Sequence, residues 1–178
     1  NVTVTCATNT YSVGGSVTGL AGTGLVLSLN AGAQTLPVAA NGAFTFPTAL
    51  ASGSSYAVTV QTQPGSPTQT CAVANGSGTV VAANITNIAV SCTTNTYTVG
   101  GTVSGLAGTG LVLSLNAGAQ TLPIAANGAF TFPTALPSGA SYAVTVQTQP
   151  SGPAQTCVVT SGTGTVGGAN VTSVSVAC

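Results

Sequence analysis

Five cysteines are the side chains of this 178-residue sequence with ready covalent chemistry: Cys6, Cys71, Cys92, Cys157 and Cys178. A reactive thiolate needs a cation or a helix N-terminus beside it, and the chain contains no Lys, Arg or His to provide the charge. Structural pairing is therefore the expectation, and persistent disulfides point to an oxidising, extracellular setting. The intervals between the cysteines are 65, 21, 65 and 21 residues. Two pairings fit them. Cys71–Cys92 with Cys157–Cys178 leaves Cys6 single, whereas Cys6–Cys71 with Cys92–Cys157 leaves Cys178 single. The first is preferred because each bond then closes within one copy of a repeat, and it makes Cys6 a candidate for a bond to an adjacent repeat or to another molecule.

Other chemistry is scarce. Ser and Thr are abundant, but a hydroxyl nucleophile needs a base to take its proton, and Asp, Glu, His and Lys are all absent. No enzyme, no catalytic residue and no cofactor-binding residue is expected. Metal sites rest on carboxylate, imidazole or thiolate ligands, so none is expected either. Ordinary domains devote roughly a quarter of their residues to charged types; here the fraction is 0%. That excludes a nucleic-acid binder, which must neutralise phosphates with Lys or Arg, and a reader of anionic lipid head groups.

Apolar runs such as Val80-Val81-Ala82-Ala83 fall far short of the ~20 residues of a spanning helix, so no membrane insertion is expected. A basic segment followed by an apolar stretch is missing from the start, so any signal peptide is expected upstream or already removed. With 44% hydrophobic residues the chain does not have the composition of a disordered polymer.

The cysteine pattern repeats every 86 residues, and so does everything else. Thr8-Asn9-Thr10-Tyr11 returns as Thr94-Asn95-Thr96-Tyr97, and residues 19–50 return as 105–136 with one change, Val38 to Ile124. This is a tandem duplication with copies at 7–92 and 93–178. Residues 1–6, Asn1-Val2-Thr3-Val4-Thr5-Cys6, match Asn87-Ile88-Ala89-Val90-Ser91-Cys92; they are equivalent to the last strand of a preceding repeat. Two explanations fit that extra strand: a stretch cut from a longer array, or a free strand that pairs with a neighbouring molecule.

Within a copy the apolar period is two, which marks half-buried strands. Leu25, Leu27 and Leu29 alternate with Val26 and Ser28; Phe44 and Phe46 flank Thr45; Tyr56, Val58 and Val60 alternate with Ala57 and Thr59. Asn41-Gly42 and Asn127-Gly128 read as type I′ hairpin turns. Gly14-Gly15, Gly22-Thr23-Gly24, Ser52-Gly53 and Gly76-Ser77-Gly78 read as the remaining joints. Seven or eight short strands per copy and no helix predict an all-β chain of two tandem antiparallel, Ig-like β-sandwich domains.

Tyr97-Thr98-Val99-Gly100-Gly101-Thr102-Val103-Ser104-Gly105-Leu106, then Asn127-Gly128 before Phe130-Thr131-Phe132, and Gly139 ahead of Tyr142-Ala143-Val144-Thr145-Val146 resemble bacterial immunoglobulin-like, prealbumin-like surface repeats. That group includes collagen-adhesin B-type stalk domains and carboxypeptidase regulatory-like domains. The stretch from Thr148-Gln149-Pro150 through Gln155-Thr156-Cys157 to Val176-Ala177-Cys178 resembles a cysteine-bearing subset found in long secreted arrays. The resemblance covers nearly the whole chain and implies a sandwich fold and stalk-like use. The collagen-adhesin domains are commonly stapled by a Lys–Asn isopeptide bond; with neither Lys nor an acid here, disulfides are the covalent staple left.

The remaining residue classes have bland readings. Aromatics such as Tyr11, Phe44, Phe46 and Tyr56 read as core rather than as a sugar platform, with the Tyr56 and Tyr142 hydroxyls as corner anchors. The sequons at Asn1, Asn75, Asn84 and Asn170 read as turn and strand-end residues ahead of glycan sites. An ice-binding face of regularly spaced Thr is a minor alternative. Strand edges normally carry charge or Pro against pairing, and the candidates for that task are Pro47, Pro64, Pro67, Pro133, Pro137, Pro150 and Pro153, with some edges left open. Near-zero net charge favours association. The expectation is a structural subunit of an extracellular bacterial fibre that self-assembles, its partners being copies of itself or adjacent repeats. A spacer in the stalk of a large surface adhesin is the alternative.

Overall fold

A computed structural model describes residues 1–178 and contains strands but no helix. The chain divides into two compact units, residues 1–94 and 95–178. The division falls two residues beyond the end of the first sequence copy, because the strand carrying Cys92 runs on to Thr94.

In the first unit the strands are β1 (Thr10–Tyr11), β2 (Val13–Thr18), β3 (Leu25–Leu29), β4 (Gln34–Val38), β5 (Gly42–Thr45), β6 (Leu50–Ala51), β7 (Ser55–Thr62), β8 (Gln69–Ala74), β9 (Ser77–Thr79) and β10 (Ile85–Thr94). The second unit repeats them as β11 (Thr96–Tyr97), β12 (Val99–Ser104), β13 (Leu111–Leu115), β14 (Gln120–Ile124), β15 (Gly128–Thr131), β16 (Leu136–Pro137), β17 (Ser141–Thr148), β18 (Val158–Thr160), β19 (Thr163–Thr165) and β20 (Val171–Ala177). Ten strands per unit replace the expected seven or eight; the surplus includes pairs of two residues, β1 with β6 and β11 with β16.

Each unit is a sandwich of two four-stranded sheets. The first has the orders β5-β2-β10-β8 and β4-β3-β7-β9, and the second has β15-β12-β20-β18 and β14-β13-β17-β19. Alternation along the strands drives this arrangement. Leu25, Leu27 and Leu29 on β3 are buried with Val13 and Val17 on β2 and with Ile88 and Val90 on β10. Full burial of each such side chain is worth roughly 1.5–3 kcal/mol. Phe44 and Phe46 meet edge to face, with ring centroids 6.0 Å apart, a favoured aromatic geometry. Every buried side-chain nitrogen and oxygen has a hydrogen-bond partner.

The structure corrects three local expectations. First, the sandwiches are not purely antiparallel, since β10 runs parallel to β2, and β20 to β12. Second, Gly14-Gly15 is no joint but lies inside β2, where it lets β10 come close. Third, Asn41-Gly42 is not a type I′ turn. Gly42 has a positive φ of 128°, but β4 pairs with β3 while β5 pairs with β2, so this segment crosses from one sheet to the other. The Asn41 amide is used elsewhere, accepting from Leu20 N at 2.8 Å and donating to Leu20 O at 2.8 Å. Asn127 does the same with Leu106. The true hairpin joins β3 to β4 through Asn30-Ala31-Gly32, with φ of 51°, 54° and 96°.

Tyr56 stands opposite Gly78, and a Cβ on Gly78 would lie 2.8 Å from the Tyr56 Oη and 3.0 Å from ring carbons. The ring covers the glycine, and Tyr142 covers Gly164 likewise. Residues 1–6 form no strand in this structure and are exposed.

Candidate functional site: paired cysteines and sheet edges

The covalent chemistry of the chain sits on the β8–β10 pair in the first unit and, in the second, one residue before β18 and one residue after β20. Cys71 on β8 and Cys92 on β10 are register partners, and their sulfurs are bonded at 2.02 Å. Cys157 and Cys178 are bonded at 2.07 Å. Cys71, Cys92 and Cys157 belong to the buried core, so these bonds are shielded from solvent reductants. Cys6 is a free, exposed thiol.

Amide side chains hold this region where charged groups would in an ordinary protein. Gln63 accepts from Cys71 N at 2.7 Å and donates to Cys71 O at 3.1 Å, so one side chain satisfies both backbone groups as a neighbouring strand would. Gln149 repeats the pattern at Cys157. Gln69, only 2% exposed, accepts from Ala21 N and Gly22 N and donates to Gly19 O and Thr94 Oγ1. Gln155 makes the corresponding bonds to Ala107 N, Gly108 N and Gly105 O. None of these long-range roles is signalled by local spacing, which is why sequence reasoning missed them.

The outer strands of the two sheets in the first unit are β5, β8, β4 and β9. β4 carries Pro37 at its fourth position and β14 carries Pro123; a proline deprives an edge of one donor. These two protect edges, whereas of the prolines expected in that role only Pro137 lies in a strand, the two-residue β16. Pro47, Pro64, Pro67, Pro133, Pro150 and Pro153 lie outside strands. Gln63 covers β8 at Cys71. The short strands β5 and β9 have no such guard. Val81 and Val158 are large apolar side chains left in solvent, at 64% and 57% exposure.

No group of three or more His, Cys, Asp or Glu side chains is gathered anywhere. Two shallow grooves of about 330 and 340 Å³ run along the β14–β15 and β4–β5 crossovers, lined by residues such as Leu36, Pro37, Asn41 and Phe44 in the first unit. Their linings contain no nucleophile paired with a base. Of the sequon residues, Asn84 accepts from Ser12 N and Asn170 from Thr98 N, while Asn75 donates to Asn87 O and has a φ of 56°; these are turn and strand-end roles.

No family model matches the chain, and no curated protein does. Among solved structures it is similar to the major pilin protein (T-13) of Streptococcus pyogenes serotype GAS131465, with 16% identity over 96% of both chains and a TM-score of 0.29.

Proposed function

We propose that this chain is a structural subunit of an extracellular bacterial fibre, built from disulfide-stapled β-sandwich repeats that associate with copies of themselves. The observation carrying this reading is the surface: no side chain among 178 residues bears a charge at neutral pH. Copies approach without Coulomb repulsion, and near-zero net charge promotes association. The unguarded edges of β5 and β9 and the exposed Val81 and Val158 offer contacts once copies meet. Catalysis plays no part in this reading, because no general base exists. At concentrations of about 1 mg/ml in physiological salt, negative-stain microscopy is expected to show ordered filaments. Monodisperse monomers at that concentration, checked by sedimentation velocity, would overturn the reading.

A second reading, a spacer in the stalk of a surface adhesin, draws support from Gln63 over β8 and Pro37 in β4. Those guards suit a molecule whose units line up along one chain without pairing sideways. Isolated beads on a string in the same micrographs favour it.

Both readings need durability. Acid unfolds proteins mainly through carboxylates and imidazoles whose proton affinity differs between the folded and unfolded states, and this chain has neither side chain. Circular dichroism between pH 7 and pH 2 is expected to show an unchanged β-signal and melting midpoint. A cooperative acid transition in that window contradicts the expectation.

A further inference from the structure

The unpaired segment at residues 1–6 has the side chains of a core strand and no core. Val2 and Val4 are 94% and 79% exposed. In the repeat register they correspond to Ile88 and Val90 on β10 and to Val174 and Val176 on β20, which are at most 1% exposed. Cys6 corresponds in the same way to Cys92 and Cys178, which are disulfide-bonded to Cys71 and Cys157. The residues after Cys6 have a template inside the chain as well. Thr8-Asn9-Thr10-Tyr11 repeats Thr94-Asn95-Thr96-Tyr97, the stretch over which β10 ends and β11 begins the next unit. Residues 1–11 thus reproduce the whole junction between a closing strand and its successor.

The geometry points to residues 1–6 as the closing strand of a third β-sandwich unit that lies N-terminal to the first in the same polypeptide. Val2 and Val4 complete its core, and Cys6 forms a disulfide with the cysteine that in that unit stands where Cys71 stands in this one. The slot for such a strand lies between the equivalents of β2 and β8, parallel to one and antiparallel to the other, as β10 shows. Both slots in the present chain are filled by its own β10 and β20, so a second copy of the chain has no vacant inner slot of this kind for residues 1–6. How units succeed one another along a chain is independent of whether that chain serves as fibre or stalk.

The test is to place a copy of residues 7–86 directly ahead of Asn1 in the full chain, which restores the junction residue for residue, and to count thiols by alkylation under denaturing conditions. The expected result is a fall from the one free thiol of the parent chain to none, with a peptide linking Cys6 to the added unit's counterpart of Cys71 found by mass spectrometry. Val2→Asp with Val4→Asp should leave the melting of the parent chain unchanged but unfold the added unit selectively in the extended chain. A companion chain carrying residues 93–172 in front guards against a poor choice of added copy. Two free thiols in both extended chains, a Cys6–Cys6 dimer on non-reducing gels of both, or indifference of the added unit to the Val2 and Val4 substitutions would overturn the inference.

Discussion

Gly15→Ala is expected to destabilise the first unit by about 3 kcal/mol or more, and Gly101→Ala the second by as much. A Cβ on Gly15 would lie 1.9 Å from the carbonyl oxygen of Ile88, and one on Gly101 would lie 1.7 Å from that of Val174. The obstacle in each case is backbone, so no rotamer change relieves it. β2 and β10 would have to part, and they form the central pair of their sheet, carrying Val13, Val17, Ile88 and Val90 into the core. Gly65→Ala is the control: its nearest neighbour would be Thr23 O at 3.8 Å, and its φ is not positive. That change is expected to be neutral or to stabilise by a few tenths of a kcal/mol, up to about 1, through the unfolded chain. Urea denaturation of the three variants checks the ranking; equal midpoints for Gly15→Ala and Gly65→Ala would refute the close approach of β10.

Replacing Cys71 and Cys92 together by Ala is expected to cost the first unit about 3 kcal/mol, the loop-closure entropy of a bridge between residues 21 apart in sequence. Alanine keeps the position apolar, so the loss measures the covalent link more than the packing. The two units have separate cores, which gives an internal reference. Calorimetry should resolve two transitions, one near the parent midpoint for the intact unit and one lower by on the order of 15 °C. The pair Cys157→Ala with Cys178→Ala should move the other transition instead. A single unshifted transition in either double variant would refute a stabilising role for that bond.

The sandwich was legible because its strands obey a rule that acts residue by residue. Leu25-Val26-Leu27-Ser28-Leu29 turns alternate side chains to one core whatever surrounds it, and the repetition of the pattern at residues 111–115 requires a second core of the same kind. The crossings between strands were less legible. Asn41-Gly42 has the composition of a tight turn, yet its geometry is set by Leu20, 21 residues away. Asn30-Ala31-Gly32 makes the hairpin even though an alanine occupies the left-handed region there. The parallel course of β10 beside β2 is a property of chain order in space, to which a period of two is blind. Around the cysteines the contacts of Gln63 and Gln69 depend on folded distances, and nothing in their local sequence distinguishes them from the other amides of the chain.

The use of neutral amides in place of ion pairs has a consequence for the medium in which the protein can work. Salt weakens a fold by screening attraction between fixed charges, over about 10 Å at 0.1 M, and here there is no such attraction to screen. The bonds that Gln63, Gln69, Asn41 and their second-unit counterparts make are short dipolar contacts with the backbone. Brine and fresh water should therefore leave the two sandwiches equally firm, a tolerance that a lattice of lysines and carboxylates would not have.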